Sequence, residues 1–141
     1  MKKLKKCILI GLGLILSLQS YGSKSLFTTH VTITTYNAVR SQCDSSPLIT
    51  ADGTKIDHGK LKSGKQKIVA ISRDLLHEIP LGSIIDIEGY GIYEVRDTMN
   101  SRFKHRIDIL QHSSKKNFKK NKIKIKLVRK PIKKNKNRRF V

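Results

Sequence analysis

Three aspartates carry the chemistry open to this chain. Asp74 follows the apolar run Ile68 to Ile71, Asp97 follows Ile92 to Val95, and Asp108 lies inside Arg106-Ile107-Asp108-Ile109-Leu110. A carboxyl group among isoleucines is deprived of water, which disfavours its charged form and raises its affinity for a proton. That is what a general acid needs. A second carboxylate nearby raises one of the pair further, because like charges resist sharing a site. Alternation alone puts Asp108 on the face opposite Ile107 and Ile109, where water, Arg106 or Arg102 would satisfy it equally well.

Other side chains add less. His30, His58, His77, His105 and His112 are scattered without the spacing of metal ligands, so the sequence calls for no metal and no cofactor. His105 is close enough to Asp108 in sequence to share a groove with it. Thr50 and Asp52 offer a hydroxyl and a carboxylate to a polar ligand, although Asp52-Gly53 is equally a turn. Tyr36 and Tyr90 offer rings for stacking on a ligand, or for packing. Cys43 sits in a polar stretch without the flanking motif of a cysteine enzyme and reads as a bystander thiol. There is no glycine-rich phosphate loop and no nucleophile elbow.

The elements that must position these groups are short strands. Thr28 to Tyr36 alternates, with Val31 and Ile33 on one face; Ile68 to Ile71 is a compact buried run; Ile84 to Glu88 and Ile92 to Val95 form a hairpin around Gly89-Tyr90-Gly91. Ile107 to Leu110 is a further run, and Ile123 to Leu127 alternates apolar residues with lysine, as a strand with one wet face does. A short polar helix or loop is expected around Ser113 to Lys120. Six short strands with little helix predict an all-β fold, a small barrel or sandwich with one or two short helices and a core of Ile and Val.

The two ends differ from this body. Met1 to Lys6 carries four lysines, Cys7 to Leu18 is apolar, and Gln19 to Ser23 is small and polar, the layout of a secretory signal peptide. The expected division is a signal peptide over 1–22, a domain over 23–128 and a basic tail over 129–141. The apolar run is shorter than the roughly 20 residues a bilayer span requires, so no stable membrane span is expected after cleavage. Export to the periplasm or cell envelope follows, with association to the outer membrane as a variant. Once the signal is removed only Cys43 remains, which excludes an intramolecular disulfide.

The formal charge is +20 on 141 residues, and all ten acidic residues lie between Asp44 and Asp108. Such a balance calls for an anionic partner. Export and the lack of aromatic-studded basic strands argue against nucleic acid. The anions available to an exported protein are envelope glycans, their peptide carboxylates and lipid head groups.

One joint pattern is more specific than any of its parts. Ile68 to Asp74, then Ile79-Pro80-Leu81-Gly82, then Gly91 to Asp97-Thr98, then Arg106-Ile107-Asp108, with Tyr36-Asn37-Ala38 and Thr50-Ala51-Asp52-Gly53 upstream, resembles the "3D" domain family, so called for its three aspartates. The resemblance runs from about Val31 to Leu127. It implies a six-stranded double-psi β-barrel, similar to the catalytic barrel of membrane-bound lytic murein transglycosylase A and to the barrels of rare-lipoprotein-A-like proteins and expansins. It further implies cleavage of peptidoglycan glycan strands, with Asp108 as acid/base and with Asp97 and Asp74 lining the same groove. Substrate contacts are then expected from Tyr36, Thr50, Asp52, Thr98 and His105. The chain departs from the pattern after the second aspartate, where Met99 and Asn100 stand in place of two glycines. That departure keeps a second expectation open, a non-catalytic barrel that binds peptidoglycan or another anionic envelope glycan.

Overall fold

Period-two burial along β-branched runs builds a closed six-stranded barrel. The computed structural model describes residues 26–37 and 48–132. The expected signal segment, Cys43 and the end of the tail lie outside the described residues. The strands are β1 (Phe27–Asn37), β2 (Ile68–Ile71), β3 (Ile84–Ile87), β4 (Gly91–Thr98), β5 (Arg106–Gln111) and β6 (Lys119–Arg129). One short helix, α1 (His58–Lys62), and a 3-10 turn at Arg73–Leu75 complete the elements.

The ring runs β1-β5-β2-β4-β3-β6 and closes on itself. Two of its pairings, β1 with β5 and β2 with β4, are parallel; the others are antiparallel. Each parallel pairing requires the chain to cross the barrel between its two strands, and a closed six-stranded barrel with two such crossings fits the double-psi arrangement. Closure removes the free edges that an open sheet would expose.

Every strand sends its inward residues to one core. Val31, Ile33, Val69, Ile71, Ile85, Ile87, Val95, Ile107, Ile109, Ile125 and Leu127 form a single buried cluster. Each such side chain contributes about 1.5–3 kcal/mol by leaving water. A second cluster sits on the outer face, where Ile56 and Leu61 pack on Ile68 and Leu110 beside Tyr36. It fastens the segment 48–66, including α1, over β1, β5 and β2. The Asp57 carboxylate caps α1 by accepting from the Lys60 amide at 3.0 Å.

No helix stands near Ser113–Lys120; a turn at Ser113–Lys115 leads instead into β6, which starts at Lys119. The lysine-rich start of β6 is drawn into the barrel by antiparallel pairing with β1, Thr34 opposite Lys119 and Ile33 opposite Lys120. Backbone hydrogen bonding to a long partner strand outweighs the weak β preference of lysine. Among the described residues no helix is long and apolar enough to cross a membrane.

Gly82 closes the turn after Pro80 with φ of 86° and donates its amide to Val95 at 2.6 Å. A methyl group there would meet Pro131 Cβ at 3.0 Å, where the chain leaves β6. Gly82→Ala is expected to cost about 1–2 kcal/mol through the left-handed backbone, with crowding added. Equilibrium denaturation reads the loss, and an unchanged midpoint would show the turn to be free to relax.

Candidate active site

Strand register brings two of the three aspartates to one place. Ala70 on β2 is paired on one side with Asp97 of β4 and on the other with Asp108 of β5. Val69 and Ile71 point into the core, so Ala70 and both of its partners face outward. Neighbouring strands are about 4.8 Å apart, which sets the two aspartate backbones roughly 10 Å from each other with only a methyl group between them. Thr34 of β1 continues the row beyond Asp108, and Lys119 of β6 continues it beyond Thr34.

Asp97 owes this position to a bulge. Val95 and Asp97 would share a face by simple alternation, yet Val95 is in the core. The β2–β4 register slips between Val69 and Ala70, leaving Arg96 as the extra residue. A bulge of this kind re-aims the side chain that follows it. Arg96 itself turns to Glu94 and Asp52, at 2.8 and 3.1 Å.

Asp97 is then held by three donors. The Tyr36 hydroxyl donates to Oδ2 at 3.2 Å, and the amides of Ala51 and Thr98 donate to Oδ1, each at 2.9 Å. The turn carrying Ala51 is docked by the Asp52 amide on the Arg96 carbonyl at 3.2 Å. Thr50 is buried, and its hydroxyl serves the turn, donating to Asp52 Oδ1 at 2.8 Å. Burial pushes the Asp52 carboxyl up, but hydrogen bonds from Thr54, Thr50 and Arg96 outweigh it and hold the group below its ordinary range.

Asp108 is half-buried and accepts a hydrogen bond from the Thr34 hydroxyl at 2.9 Å. Burial raises its proton affinity, and the charge of Asp97 adds to the rise. The Thr34 hydrogen bond and the Arg106 charge oppose it without cancelling it. The pair can therefore offer a proton from Asp108 beside a carboxylate held by Asp97's donors.

Asp74 stands apart from this pair. It lies in the 3-10 turn after β2, where its Oδ2 accepts from the His105 amide at 3.0 Å and meets His105 Nδ1 at 3.1 Å. Burial pushes its carboxyl up, but the Ser72 hydroxyl and the His105 amide more than offset this, and the group sits below its ordinary range. His105 takes a left-handed backbone, φ 47°, immediately before β5. Asp74 thus fixes the start of the strand that carries Asp108. His58 and His112 meet edge to face at 6.3 Å, and His77 lies 3.1 Å from Glu78. Among the described residues no group of three or more His, Cys, Asp or Glu is placed to hold a metal ion.

Of the two residues that stand where the resemblance expects glycines, Met99 is packed and Asn100 is exposed. Met99 is buried, and its amide donates to the Ile71 carbonyl at 2.9 Å. Asn100 Oδ1 accepts from the Arg102 amide at 3.1 Å and shapes the turn to Phe103. Sequence reasoning passed over Thr34, Ala51 and Phe103. Thr34 had a visible signal in its alternation with Ile33, but its partner strand had none.

A scan against protein-family models finds no match for this chain, and no curated protein matches it. Among solved structures the chain is similar to a papain inhibitor of Streptomyces, with TM-score 0.48 and 23% identity over 75% of this chain and 98% of the inhibitor. It is also similar to a mutant expansin of Clavibacter michiganensis in complex with cellohexaose, with TM-score 0.41 and 16% identity over 75% of this chain and 52% of that one. The chain thus spans about half the length of the expansin. Likenesses this distant carry no functional inference.

A raised carboxyl makes a stability statement with a definite sign. The folded protein holds the Asp108 proton more tightly than the unfolded chain, so this contribution is greatest below the ordinary value of 3.8 and is lost as pH rises through the higher folded value. Asp108→Asn keeps the Thr34 hydrogen bond and removes the charge. It is expected to raise the melting temperature at pH 7 and to make no difference well below pH 3.8. Melting curves at the two pH values check this; a lower melting temperature at pH 7 would show that Asp108 stabilises as an anion.

Proposed function

We propose that the barrel cleaves the glycan strands of peptidoglycan as a lytic transglycosylase, with Asp108 as acid and base. The observation that carries the reading is the placement of Asp108: half-buried, raised in proton affinity, and sharing an outer face with Asp97 across the small side chain of Ala70. An ordinary glycosidase needs a second carboxylate as nucleophile or base. A muramyl sugar instead supplies its own nucleophile, the C6 hydroxyl.

In this mechanism Asp108 gives its proton to the bridging oxygen as the bond from C1 breaks. The C6 oxygen bonds to C1, and its proton passes to the Asp108 carboxylate, leaving a 1,6-anhydro product and the acid restored. Asp97 keeps the Asp108 proton in place by its charge. Asp74 positions β5 through His105. In this reading the protein is exported and works in the cell envelope, where its basic surface keeps it on an anionic wall.

A second reading has its own observation. Asp97 is held by three donors and a packed Met99 stands where the resembled pattern has its first glycine, which suits a barrel that binds envelope glycan without cutting it.

Digestion of purified peptidoglycan separates the two. Wild-type protein is expected to release anhydro-muropeptides, and Asp108→Asn to lose at least about a hundredfold of that rate. Absence of release by either protein, with both sedimenting on sacculi, would leave the binding barrel.

The pH profile tests the electrostatic role of Asp97. Activity needs protonated Asp108 and so falls as pH rises through its raised pKa. Asp97→Asn removes the like charge and is expected to move that alkaline limb to lower pH; an unmoved limb would reduce Asp97 to a structural part.

A further inference from the structure

The acid face ends in two guanidinium groups around one ring. Arg106 precedes Asp108 by two positions on β5, so both side chains leave the outer face of the strand. The Arg106 guanidinium lies 4.6 Å from the Phe103 ring centroid and that of Arg102 lies 4.8 Å from the same centroid. The two charges are therefore within about 10 Å of each other, comparable to the screening length at physiological salt.

Neither has a countercharge at contact distance. Among the described residues the ion pairs are Arg96 with Asp52 and Glu94, His105 with Asp74, and His77 with Glu78. Arg106 opposes the rise in Asp108's proton affinity, which places it within electrostatic reach of that carboxyl without pairing to it. Its Nε is buried and has no hydrogen-bond partner. A buried N–H left unpaired is costly, and in a charged group more so. Phe103 holds the guanidinium planes by cation–π contact, which limits their freedom to seek water.

We propose that Arg106 and Arg102, held against Phe103, form an anion subsite that takes the carboxylate of an acidic sugar lying beside Asp108. A planar guanidinium matches a carboxylate in geometry as well as charge, and the match supplies specificity that a flexible lysine would not. The subsite lets the acid face tell a glycan whose ring substituents carry carboxylates from a neutral one. It rests on the reading of the Asp108 face as a glycan site, and deepens it.

The test is binding measured on Asp108→Asn, so that no probe is cut, at fixed physiological salt. The probes are peptidoglycan glycan strands freed of stem peptides, with muramyl carboxylates intact, and the same strands with those carboxylates converted to amides. Free-acid strands are expected to bind about ten- to a hundredfold more tightly than amidated ones. Adding Arg106→Met should bring that ratio close to one. Arg106→Lys should recover little of it, while Lys126→Met, an equal loss of charge on β6, should leave it intact. Melting temperatures confirm that each variant is folded.

A ratio near one in the Asp108→Asn parent, or an equal fall with Lys126→Met, would overturn the subsite. So would tighter binding of strands that keep their stem peptides, because the carboxylate recognised would then be the peptide's. Cleavage by wild type with no such ratio removes the subsite alone. A clear ratio with no cleavage keeps the subsite and removes the lytic mechanism.

Discussion

The acid face depends on one local irregularity, the extra residue that Arg96 inserts into β4. Without it Asp97 would follow Val95 toward the core, where an ionised carboxylate would cost several kcal/mol. With it, Asp97 comes level with Ala70 and looks outward along the same row as Asp108. The bulged residue is itself anchored: its carbonyl accepts the Asp52 amide and its guanidinium spans Glu94 and Asp52. The turn at Thr50–Thr54 and the bulge therefore hold each other. Ala70 matters for its size, because a longer side chain there would fill the space between the carboxyl groups.

The three aspartates divide their work according to how many donors surround them. Asp74 is committed to His105 and holds a left-handed residue at the head of β5; a non-glycine residue in that conformation persists only when its surroundings determine it. Asp97 accepts from a hydroxyl and two amides, an arrangement that fixes its geometry. Asp108 accepts from one hydroxyl and is the aspartate of the three whose proton affinity rises. The proposed acid is thus the carboxyl group with the fewest donors around it.

Most of the fold was legible because its signals are local. The run Ile68 to Ile71 has the same bounds in sequence and structure, since four consecutive apolar residues before a polar turn leave little latitude. The Gly89-Tyr90-Gly91 hairpin and the Pro80-Leu81-Gly82 turn were readable from backbone requirements of glycine and proline, and the glycines at 82, 89 and 91 do take positive φ. The length of β6 was not readable, because Lys119, Lys120, Asn121 and Lys122 favour no strand until β1 pairs with Lys119 and Lys120. Nor was α1, whose five residues carry one buried apolar side chain, Leu61. At the site, the three aspartates stood out by their apolar neighbours, but their grouping did not. Which two meet depends on a bulge, on the parallel pairing of β2 with β4 and on the antiparallel pairing of β2 with β5, and none of these leaves a trace in spacing. Tyr36 was noted for its ring, whereas its hydroxyl makes the contact with Asp97.

Net charge sharpens the meaning of Asp108. A chain at +20 surrounds every carboxyl with cations, and that field favours the ionised form. Salt screens it beyond about 8 Å, so most of the lysines act weakly on Asp108 while Arg106, two residues away, acts directly. The group is nevertheless raised, so loss of water on the face between β1 and β2 outweighs a nearby guanidinium and a hydroxyl donor together. Such a balance is sensitive to anything that covers the face. A sugar ring laid across Thr34 and Ala70 would exclude more water and raise Asp108 further, whereas a carboxylate drawn to Arg106 would neutralise the one charge that opposes the rise. Under the proposed function, binding and protonation would be coupled in the productive direction, with Asp108 most fully protonated when a sugar covers the face.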